Sequence, residues 1–361
     1  MHILTLSPVH IGTGQELMKD IDYVVHNGKT YRLDPDAIGE ALLIDEAGRL
    51  REKLATTWPG QLLQDSDYAR ADLFRYVIPG EPRSQKEGAA LRECIKTHDD
   101  RPYLPGSSIK GALRTALGWT AWSEVRPRLD KAAFGRNKSW AGQNLERQIF
   151  GPDPNHDLLR ALHVGDAFGP GPGEALMLAN AQVVTRRNLG SPIEVEAIRE
   201  ETRFSGRLTI DESLFTPGAE KVLQLGQRGR WLDELAQRVR RHAQARIEAL
   251  RAWFEKSELG KGPAGYYRQL GEIVSKLPDN RFVLQLGGGT GWDRKTFTTH
   301  LHADQNLFEW LVREYRMTIK GAAARKPGDP FPRSRRALVR GGRVDAPFGW
   351  VLVELQPQGE R

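Results

Sequence analysis

The sequence contains a single cysteine, Cys94, in 361 residues. One thiol cannot form a disulfide within the chain or supply a thiolate zinc cluster, and we expect Cys94 to be a small buried hydrophobe rather than a nucleophile. The scarcity of cysteine suits a reducing cytoplasm, which is the predicted location. No run approaches about 20 apolar residues, so no membrane span is expected. Residues 1–10 lack the basic and apolar regions of a signal peptide and are predicted to begin a strand.

Motifs of common enzyme classes are also missing. The sequence has no G-x-x-x-x-G-K-[ST] loop and no H-E-x-x-H helix. The segment from His10 to Gly14 matches half of a dinucleotide-binding motif, but no helix with a third glycine follows it. His300 and His302 are the one closely spaced histidine pair, and without a neighbouring carboxylate cluster a structural role is favoured over a metal site. We therefore predict no catalytic residue, no metal and no cofactor.

Basic residues are in moderate excess and unevenly distributed. Lys and Arg total 53 against 46 Asp and Glu, which gives a formal charge of +7 and a pI of about 9.5. One arginine-rich stretch covers residues 222–256, and a second basic stretch lies near the C-terminus. The second stretch contains Arg313, Arg316, Lys320, Arg325, Lys326, Arg333, Arg335, Arg336, Arg340 and Arg343. Clustered positive charge suits a phosphate polymer, although a solvated surface accounts equally well for either stretch alone.

The pattern of strands and helices indicates an α+β fold with antiparallel sheets. Asn27-Gly28 between two alternating runs predicts a type I′ hairpin, and Asp34-Pro35 predicts a helix start. A long amphipathic helix is expected over 231–255, with its apolar stripe buried and its arginines on the outer face. Other expected elements are strands over 2–7, 282–286 and 350–355 and a helix over 307–317.

A projecting ribbon is a further expectation. Segments 192–198 and 204–210 are predicted to be its two strands, and the region of 183–187 and 194–207 is predicted to extend from the core. Arg186 and Arg187 would then lie on opposite faces of a strand, where they can make two different contacts.

One segment with features that suit phosphate binding is 105–114. Its Gly-Ser-Ser turn begins a predicted helix, where free N–H groups and the hydroxyls of Ser107 and Ser108 can meet an anion. Lys110 and Arg114 follow on one side of the first turns. Taken by itself, the segment is better explained as an ordinary serine N-cap with solvated basic residues.

A second such segment is the glycine run within 286–296, which follows a predicted strand. Its backbone can wrap a phosphate chain, and Trp292 can offer a stacking face. Its candidate contact residues are Gly287, Gly288, Gly289, Arg294 and Lys295. The alternative is a flexible loop.

Three motifs occur in order at 7–14 (SPVHIGTG), 21–25 (IDYVV) and 102–114 (PYLPGSSIKGALR), and the glycine run follows them. Their order and spacing resemble the RAMP proteins of CRISPR effector complexes. The resemblance implies a modified RNA-recognition-motif, or ferredoxin-like, core with helical insertions. The opening motif, GWDRKT at 291–296 and FGW at 348–350 most resemble the family of fifth Csm subunits of type III-A complexes.

This resemblance implies a RAMP domain with insertions over 1–212 and a helical, RAMP-like region with the glycine-rich loop and a basic tail over 213–361. It implies a terminal subunit that caps the 3′ end of the guide (CRISPR) RNA and supports guide maturation and assembly in antiviral defence. Implied partners are the guide RNA, the backbone RAMP subunit, the small helical subunit and host nucleases that trim the guide, with no membrane. RNA contacts are expected at His10, Gly12, Gly14, Ser107, Ser108, Lys110, Arg114, Arg186, Arg187, Gly287, Gly288, Gly289, Arg294 and Lys295.

Asp22 leaves a catalytic alternative open. It occupies the place of an aspartate with which backbone RAMP subunits cut target RNA, and an aspartate can support in-line attack or coordinate a metal ion. The second hypothesis is therefore an endoribonuclease that cuts target or precursor RNA through Asp22, with His10 as an example of a general acid–base. We favour a structural Asp22, because the preceding loop is short and departs from that of the cutting subunits. A third hypothesis is a protein scaffold whose basic helices contact other subunits.

Overall fold

The computed structural model describes residues 1–45, 56–131, 134–135, 137–317, 329 and 331–356. The strands of this part are β1 (His2–Thr5), β2 (Gly12–Met18), β3 (Tyr23–His26), β4 (Lys29–Leu33), β5 (Phe74–Pro79), β6 (Ala90–Cys94), β7 (Tyr103–Leu104), β8 (Leu162–Val164), β9 (Ala167–Phe168), β10 (Leu176–Val184), β11 (Leu189–Ile198), β12 (Arg203–Ser205), β13 (Leu208–Ile210), β14 (Arg281–Gln285), β15 (Arg335–Arg340), β16 (Arg343–Val344) and β17 (Trp350–Glu354).

The α-helices of the same part are α1 (Pro35–Asp45), α2 (Gly106–Val125), α3 (Gln143–Phe150), α4 (Pro172–Ala175), α5 (Pro217–Leu223), α6 (Arg230–Asp233), α7 (Leu235–Glu255), α8 (Lys261–Ser275) and α9 (Gln305–Glu314). Short 3-10 helices lie at Pro59–Leu62, Asp65–Ala69, Ala71–Leu73, Lys138–Trp140, Leu158–Ala161, Glu212–Phe215, Gly226–Gly229, Trp292–Lys295 and Thr298–Ala303.

The hairpin of β3 and β4 follows from its turn residues. Asn27 and Gly28 have φ values of 47° and 73°, which is the left-handed pair that a type I′ turn requires. The strand that leaves this turn ends at Leu33, and the Asp34 Oδ1 atom then accepts the Ala37 backbone N–H at 3.1 Å to cap α1. The predicted hairpin and helix start are therefore confirmed.

Helix α2 lies at the centre of the largest hydrophobic core. Ile109, Leu113, Ala116 and Leu117 recur at helical spacing, and all four are fully buried. They pack in one cluster with residues of β1, β12, β14 and β17. The helix predicted to begin at the Gly-Ser-Ser turn is confirmed, and burial of this face provides most of its stability because isolated helices are marginal in water.

The first six-stranded sheet has the order β14-β17-β1-β12-β9-β7. The N-terminal strand β1 lies between β12 and the last strand β17, and it is antiparallel to both. Ile3, Phe204 and Val353 share its inner face and are buried. Since helices cover this inner face, the sheet has the layered arrangement of a ferredoxin-like core.

The second six-stranded sheet has the order β16-β15-β10-β11-β6-β2. Its pairs are antiparallel except for β11 and β6, which run parallel at Val195 and Arg92. Smaller sheets are formed by β3, β4 and β5 and by β8 and β13. The predicted α+β class with antiparallel sheets is confirmed.

The predicted projecting ribbon is wrong in its pairing. Strand β11 pairs with β10, from Leu176 opposite Ile198 to Val184 opposite Leu189, in the middle of the second sheet. The short strands that follow, β12 and β13, pair instead with β1, β9 and β8. Arg186 and Arg187 lie in the exposed turn between β10 and β11, and not on the two faces of a strand. Alternation alone predicted the strands, but it carries no information about which partner completes a ladder.

The predicted long helix is correct in extent but divided. It consists of α6 and α7, which are separated at Glu234 with φ −88° and ψ 12°. The apolar stripe is buried as expected. However, Arg238 and Arg246 are also buried, at 2% and 7% exposure, because α7 is packed between α2 on one side and α8 on another. The expectation that the helix's arginines all face outward is therefore wrong.

Both large sheets contain strands from either side of residue 212. Strands β14 and β17 complete the first sheet, and β15 and β16 complete the second. The division of the chain into two regions, 1–212 and 213–361, remains a prediction. Lys320, Arg325 and Lys326 of the predicted basic tail lie outside the described residues. Among the helices of the described part, none has the length and apolar character needed to span a membrane.

Candidate functional site

Three segments that are far apart in sequence meet beside β1. The Gly288 backbone N–H donates to the His10 carbonyl at 2.7 Å, and the Gly349 N–H donates to the Pro8 carbonyl at 2.8 Å. The Leu286 N–H in turn donates to the Gly349 carbonyl at 2.7 Å. The opening motif, the glycine run and the FGW segment thus form one unit, which we call the glycine junction (residues 8–12, 286–291 and 348–350).

Glycine is required at two positions of this junction. Gly287 has a φ of +77°, and a Cβ atom there would lie 2.3 Å from the His10 carbonyl oxygen. Gly349 has a φ of +90°, and its Cβ would lie 2.2 Å from the Leu286 carbonyl oxygen. Both the left-handed backbone and the close approach exclude other residues without rearrangement. The glycine run is therefore a packed structural loop at these positions, and not merely a flexible one.

His10 is held within the junction by its ring. The Nδ1 atom lies 2.7 Å from the Glu196 carbonyl oxygen, and a Cβ atom at Gly12 would lie 2.9 Å from the ring Nε2. Burial lowers the pKa of His10, an effect that exceeds the opposing pull of Glu196. A neutral, positioned imidazole results. Gly14, by contrast, is exposed with a φ of +92° and has open space around it.

The GWDRKT segment stabilises the glycine junction through the ion pairs of Asp293. Its Oδ1 accepts Arg335 Nη1 at 2.7 Å, and its Oδ2 lies 3.6 Å from Arg246 Nη1. Arg246 also donates to Gln285 Oε1 at 2.8 Å. Burial acts to raise the pKa of the Asp293 carboxyl, but Arg246 and then Arg335 outweigh it and hold the pKa below its usual value.

The two basic residues of the same segment differ in their surroundings. Arg294 donates through Nε to Thr290 Oγ1 at 3.1 Å and through Nη2 to the Gly287 carbonyl at 3.4 Å, so it braces the glycine loop. Lys295 is exposed. RNA contact by either residue stays a prediction, and Lys295 has the more accessible charge.

Arg92 and Arg336 form a positive surface that the sequence did not reveal as a unit. Arg92 lies near His10 and lowers its pKa through its positive charge, after the larger effect of burial. Burial and then the charge of Arg92 lower the pKa of Arg336 as well, so the two positive charges act on each other. Arg336 forms no ion pair with any described residue. We call Arg92 and Arg336, which lie beside the neutral His10, the basic patch.

Arg92 could not be singled out from its sequence context. It sits among mixed charges at Arg92-Glu93, on a strand with no motif. Its approach to Arg336 depends on the order of β6, β11, β10 and β15 in the second sheet. Arg336 did fall within the basic C-terminal stretch, whereas its neighbour Arg335 is buried against Asp293.

The N-terminus of α2 is already capped by a carboxylate. Asp166 Oδ1 accepts the Gly106 N–H at 2.7 Å, and a Cβ at Gly106 would lie 2.2 Å from the Val164 carbonyl oxygen. The PGSS motif therefore docks the helix on the segment at 164–166. Ser107 is exposed and Ser108 partly so, and their contact with RNA stays a prediction.

Arg114 and Lys110 line a cavity of mixed charge beside α3. Arg114 Nη1 lies 2.8 Å from Asp157 Oδ2, and its Nη2 lies 3.2 Å from Glu146 Oε2. The Arg114 guanidinium carbon also lies 4.0 Å from the centre of the Phe150 ring. Burial lowers the pKa of the half-buried Lys110. A phosphate contact by these two residues remains a prediction, and an RNA chain would have to compete with both carboxylates for Arg114.

The sequence-predicted RNA contacts thus divide into three places. His10, Gly12 and the glycines of the run meet in the glycine junction, with Arg294 behind the loop. Helix α2 contacts the Trp292–Lys295 turn, so its motif lies beside that unit. The turn with Arg186 and Arg187 instead contacts the end of α7, where Arg187 Nε lies 3.2 Å from Glu258 Oε1.

The catalytic and metal candidates are engaged in structural contacts. Asp22 Oδ2 accepts the Met18 N–H at 2.9 Å, and Asp22 Oδ1 lies 3.3 Å from Arg32 Nη1. His300 stacks on Trp119 and Trp122 at ring-centre distances of 4.7 and 5.3 Å. In the part of the chain that the structure describes, no group of three or more His, Cys, Asp or Glu side chains could hold a metal ion.

Cys94 is a fully buried residue of the main core. Burial raises the pKa of its thiol to about 12, which leaves almost no thiolate at neutral pH. The expectation of a small hydrophobe is confirmed.

Comparison with known families identifies the class of this fold. A model of the RAMP superfamily matches residues 2–292. The chain therefore belongs to the RAMP superfamily, as its motifs indicated.

Curated relatives make the resemblance more particular. Two are named "CRISPR system Cms protein Csm5". One, from Methanocaldococcus jannaschii, is 22% identical over 97% of this chain and 87% of the relative. The other, from Streptococcus thermophilus, is 25% identical over 82% of this chain and 79% of the relative. The predicted similarity to the fifth Csm subunit is confirmed.

Solved structures agree with this assignment of the fold. A chain of a Csm–crRNA–target RNA ternary complex from a type III-A CRISPR-Cas system has a TM-score of 0.69 and 23% identity, covering 98% of this chain and 99% of that chain. The crystal structure of T. onnurineus Csm5 has a TM-score of 0.67 and 23% identity, covering 98% of this chain and 100% of that chain.

Proposed function

We propose that this chain is the RNA-binding terminal RAMP subunit of a type III-A CRISPR effector complex. In this function it caps the 3′ end of the guide RNA and supports guide maturation and complex assembly in antiviral defence. Its partners are the guide RNA, the backbone RAMP subunit, the small helical subunit and host nucleases that trim the guide. It holds RNA without cutting it.

The observation that carries this proposal is the basic patch beside the glycine junction. Two arginines that repel each other, one of them without an ion-pair partner among the described residues, are stabilised when a polyanion binds across them. Gly288 lies beside the patch, where a Cβ atom would come within 3.2 Å of the His10 ring. The curated relatives that match over most of this chain carry the Csm5 name, which fits a subunit of this kind of complex.

A salt titration of guide RNA binding tests the patch. We expect the Arg92→Gln, Arg336→Gln double variant to bind guide RNA more weakly than the original chain does, whatever the sequence of the RNA. The slope of log affinity against log salt should fall by about one to two charges, because fewer counterions are released. Fluorescence anisotropy with labelled guide RNA measures both quantities.

Arg340→Gln is the matched control. Arg340 is 48% exposed in its side chain, and it is paired with Glu200 at 3.0 Å and with Asp345 at 2.9 Å. Its removal should leave the salt slope unchanged. An unchanged slope in the double variant, or an equal loss in the control, contradicts the proposal. If the isolated chain binds no RNA, the same variants are compared in the assembled complex.

A further inference from the structure

The outer face of the first sheet carries a row of side chains that are exposed or partly exposed in the described part of the chain. In the strand register His2 is opposite Ser205, Ser205 is opposite Phe168, and Phe168 is opposite Tyr103. The row therefore crosses four neighbouring strands, β1, β12, β9 and β7. Since neighbouring strands lie about 4.8 Å apart, it extends roughly 14 Å along the surface.

Two aromatic rings lie at one end of this row. The ring centres of Tyr103 and Phe168 are 5.8 Å apart, with an angle of 26° between the ring planes. Phe168 is 49% exposed, although the next residues inward, Ala167 and Leu104, are fully buried. Core packing thus accounts for the inner face but not for a stacked pair in which Phe168 is exposed and Tyr103 is partly exposed.

Two exposed arginines lie near the rings. Arg203 lies on the same face of β12, opposite Leu4, and is exposed. Arg101 is exposed beside the ring pair, where its Nη2 donates to the Gly169 carbonyl at 2.9 Å. Neither arginine forms an ion pair with any described residue. The first carboxylate along the row, Glu354 on β17, is occupied by Arg281 at 2.9 Å.

We propose that this surface, the aromatic row (His2, Ser205, Phe168 and Tyr103), stacks bases of a single RNA strand. The inference rests on the proposed RNA-binding function and adds a second contact surface, separate in the fold from the basic patch. Phe168 and Tyr103 provide ring faces that accept any base, and Arg101 and Arg203 meet the phosphates on either side. His2 and Ser205, whose Nδ1 and Oγ atoms lie 3.1 Å apart, provide polar groups for ribose hydroxyls or base edges.

The composition of the surface favours RNA over a protein partner. Aromatic rings flanked by unpaired arginines complement the alternation of bases and phosphates along a single strand. A protein partner would have to supply both an apolar contact and carboxylates at matching spacing. Protein docking is therefore treated as the competing outcome.

The experiment compares variants that remove the rings with variants that keep them. Tyr103→Ala combined with Phe168→Ala should weaken binding of labelled guide RNA about tenfold or more, because stacking is lost at two positions. The salt slope should not change, since no charge is removed. Tyr103→Phe combined with Phe168→Tyr should bind like the original chain. Val222→Ala removes a hydrophobic side chain that is 69% exposed elsewhere and serves as the control.

Cross-linking locates the contact independently of affinity. Guide RNA substituted with 5-iodouridine, irradiated on the original chain and digested, should yield nucleotide adducts on peptides that contain Tyr103 or Phe168. Thermal unfolding of each variant confirms that its fold is kept, which is expected because neither ring is fully buried.

The outcomes separate this inference from the proposed function. If the original chain binds guide RNA and the double alanine variant binds it equally well, the aromatic row is not an RNA surface and the inference is overturned, while the proposed function stands. If that variant also fails to assemble with the other effector subunits, the row is a protein interface. If neither the original chain nor the complex containing it binds guide RNA, the proposed function and this inference both fail.

Discussion

Asp22 shows at the scale of one residue how a catalytic candidate can be a structural one. Its carboxylate closes the turn at Met18 and pairs with Arg32 on the neighbouring hairpin strand. Both oxygens therefore have a partner within the chain. A general base needs a free oxygen directed at a proton of the substrate, together with groups that stabilise the developing charge.

We expect Asp22→Ala to leave every target-RNA cut of the assembled complex in place when the backbone subunits are unaltered. The variant should lose stability by about 1 kcal/mol, because the Met18 N–H loses its acceptor. Gel analysis of cleaved target RNA and thermal unfolding of the isolated chain measure the two effects.

Asp22→Asn distinguishes the two roles. Its amide oxygen can still accept the Met18 N–H, so a structural Asp22 predicts nearly full stability and all cuts. Disappearance of one cleavage position in both variants, with normal assembly, would show that Asp22 is catalytic.

At the scale of elements, the glycine-rich loop depends on a buried ion cluster beneath it. Strand β14 leads into the loop, and Asp293 follows the loop and holds Arg335 of β15 and Arg246 of α7. The cluster thus links two sheets and a helix. A carboxylate that balances two buried arginines cannot be removed without leaving charge in a poorly solvated place.

We expect Asp293→Asn to destabilise the chain by about 3–5 kcal/mol, which is the usual cost of leaving a buried charge unpaired. Urea denaturation measures the change. Asp279→Asn is the matched control, because Asp279 also pairs with an arginine, Arg240 at 2.8 Å, but its side chain is fully exposed. The control should cost no more than about 1 kcal/mol.

The pH dependence of the free energy of unfolding should also change in Asp293→Asn. The pKa of Asp293 is lower in the folded chain than its usual value of about 3.9. Its contribution is therefore complete above about pH 4 and is lost as the pH falls through the folded value. Equal decreases in the free energy of unfolding in Asp293→Asn and Asp279→Asn would contradict a buried cluster.

The whole molecule is tied together by strands that cross the middle of the sequence. Strand β1 pairs with β17 over four residue positions, from His2 opposite Glu354 to Thr5 opposite Val351. Strand β10 similarly pairs with β15. Each large sheet is completed by the opposite end of the chain, so neither sheet is finished within the first 212 residues.

We expect the fragment 1–212 not to unfold cooperatively on its own, because β1 and β10 would each expose a ladder edge that β17 and β15 cover in the full chain. Co-expression with 213–361 should restore a folded pair of fragments. Circular dichroism with thermal unfolding tests both statements. A fragment 1–212 that unfolds as sharply as the full chain would instead support an independent first domain.

Local chemistry was enough to predict several elements from the sequence. The Asn27-Gly28 turn, the Asp34 cap and the apolar spacing of 106–125 depend on residues within a few positions of one another. Backbone sterics and helix periodicity act over this range, so the sequence alone contains the whole signal. The family motifs are local in the same sense and led to the RAMP superfamily.

Only the tertiary structure decided which distant groups meet. It paired β11 with β10, buried Arg238 and Arg246, which the amphipathic pattern of the helix placed outside, and set the charge of Arg92 against that of Arg336. It also aligned Phe168 with Tyr103 on an open face. The pairing of strands and the burial of side chains depend on how all the surrounding layers pack. The charge or hydrophobicity of a side chain does not determine which layer will cover that side chain. The sequence by itself determined the local elements and the family, and the folded arrangement determined which side chains are exposed together on one surface.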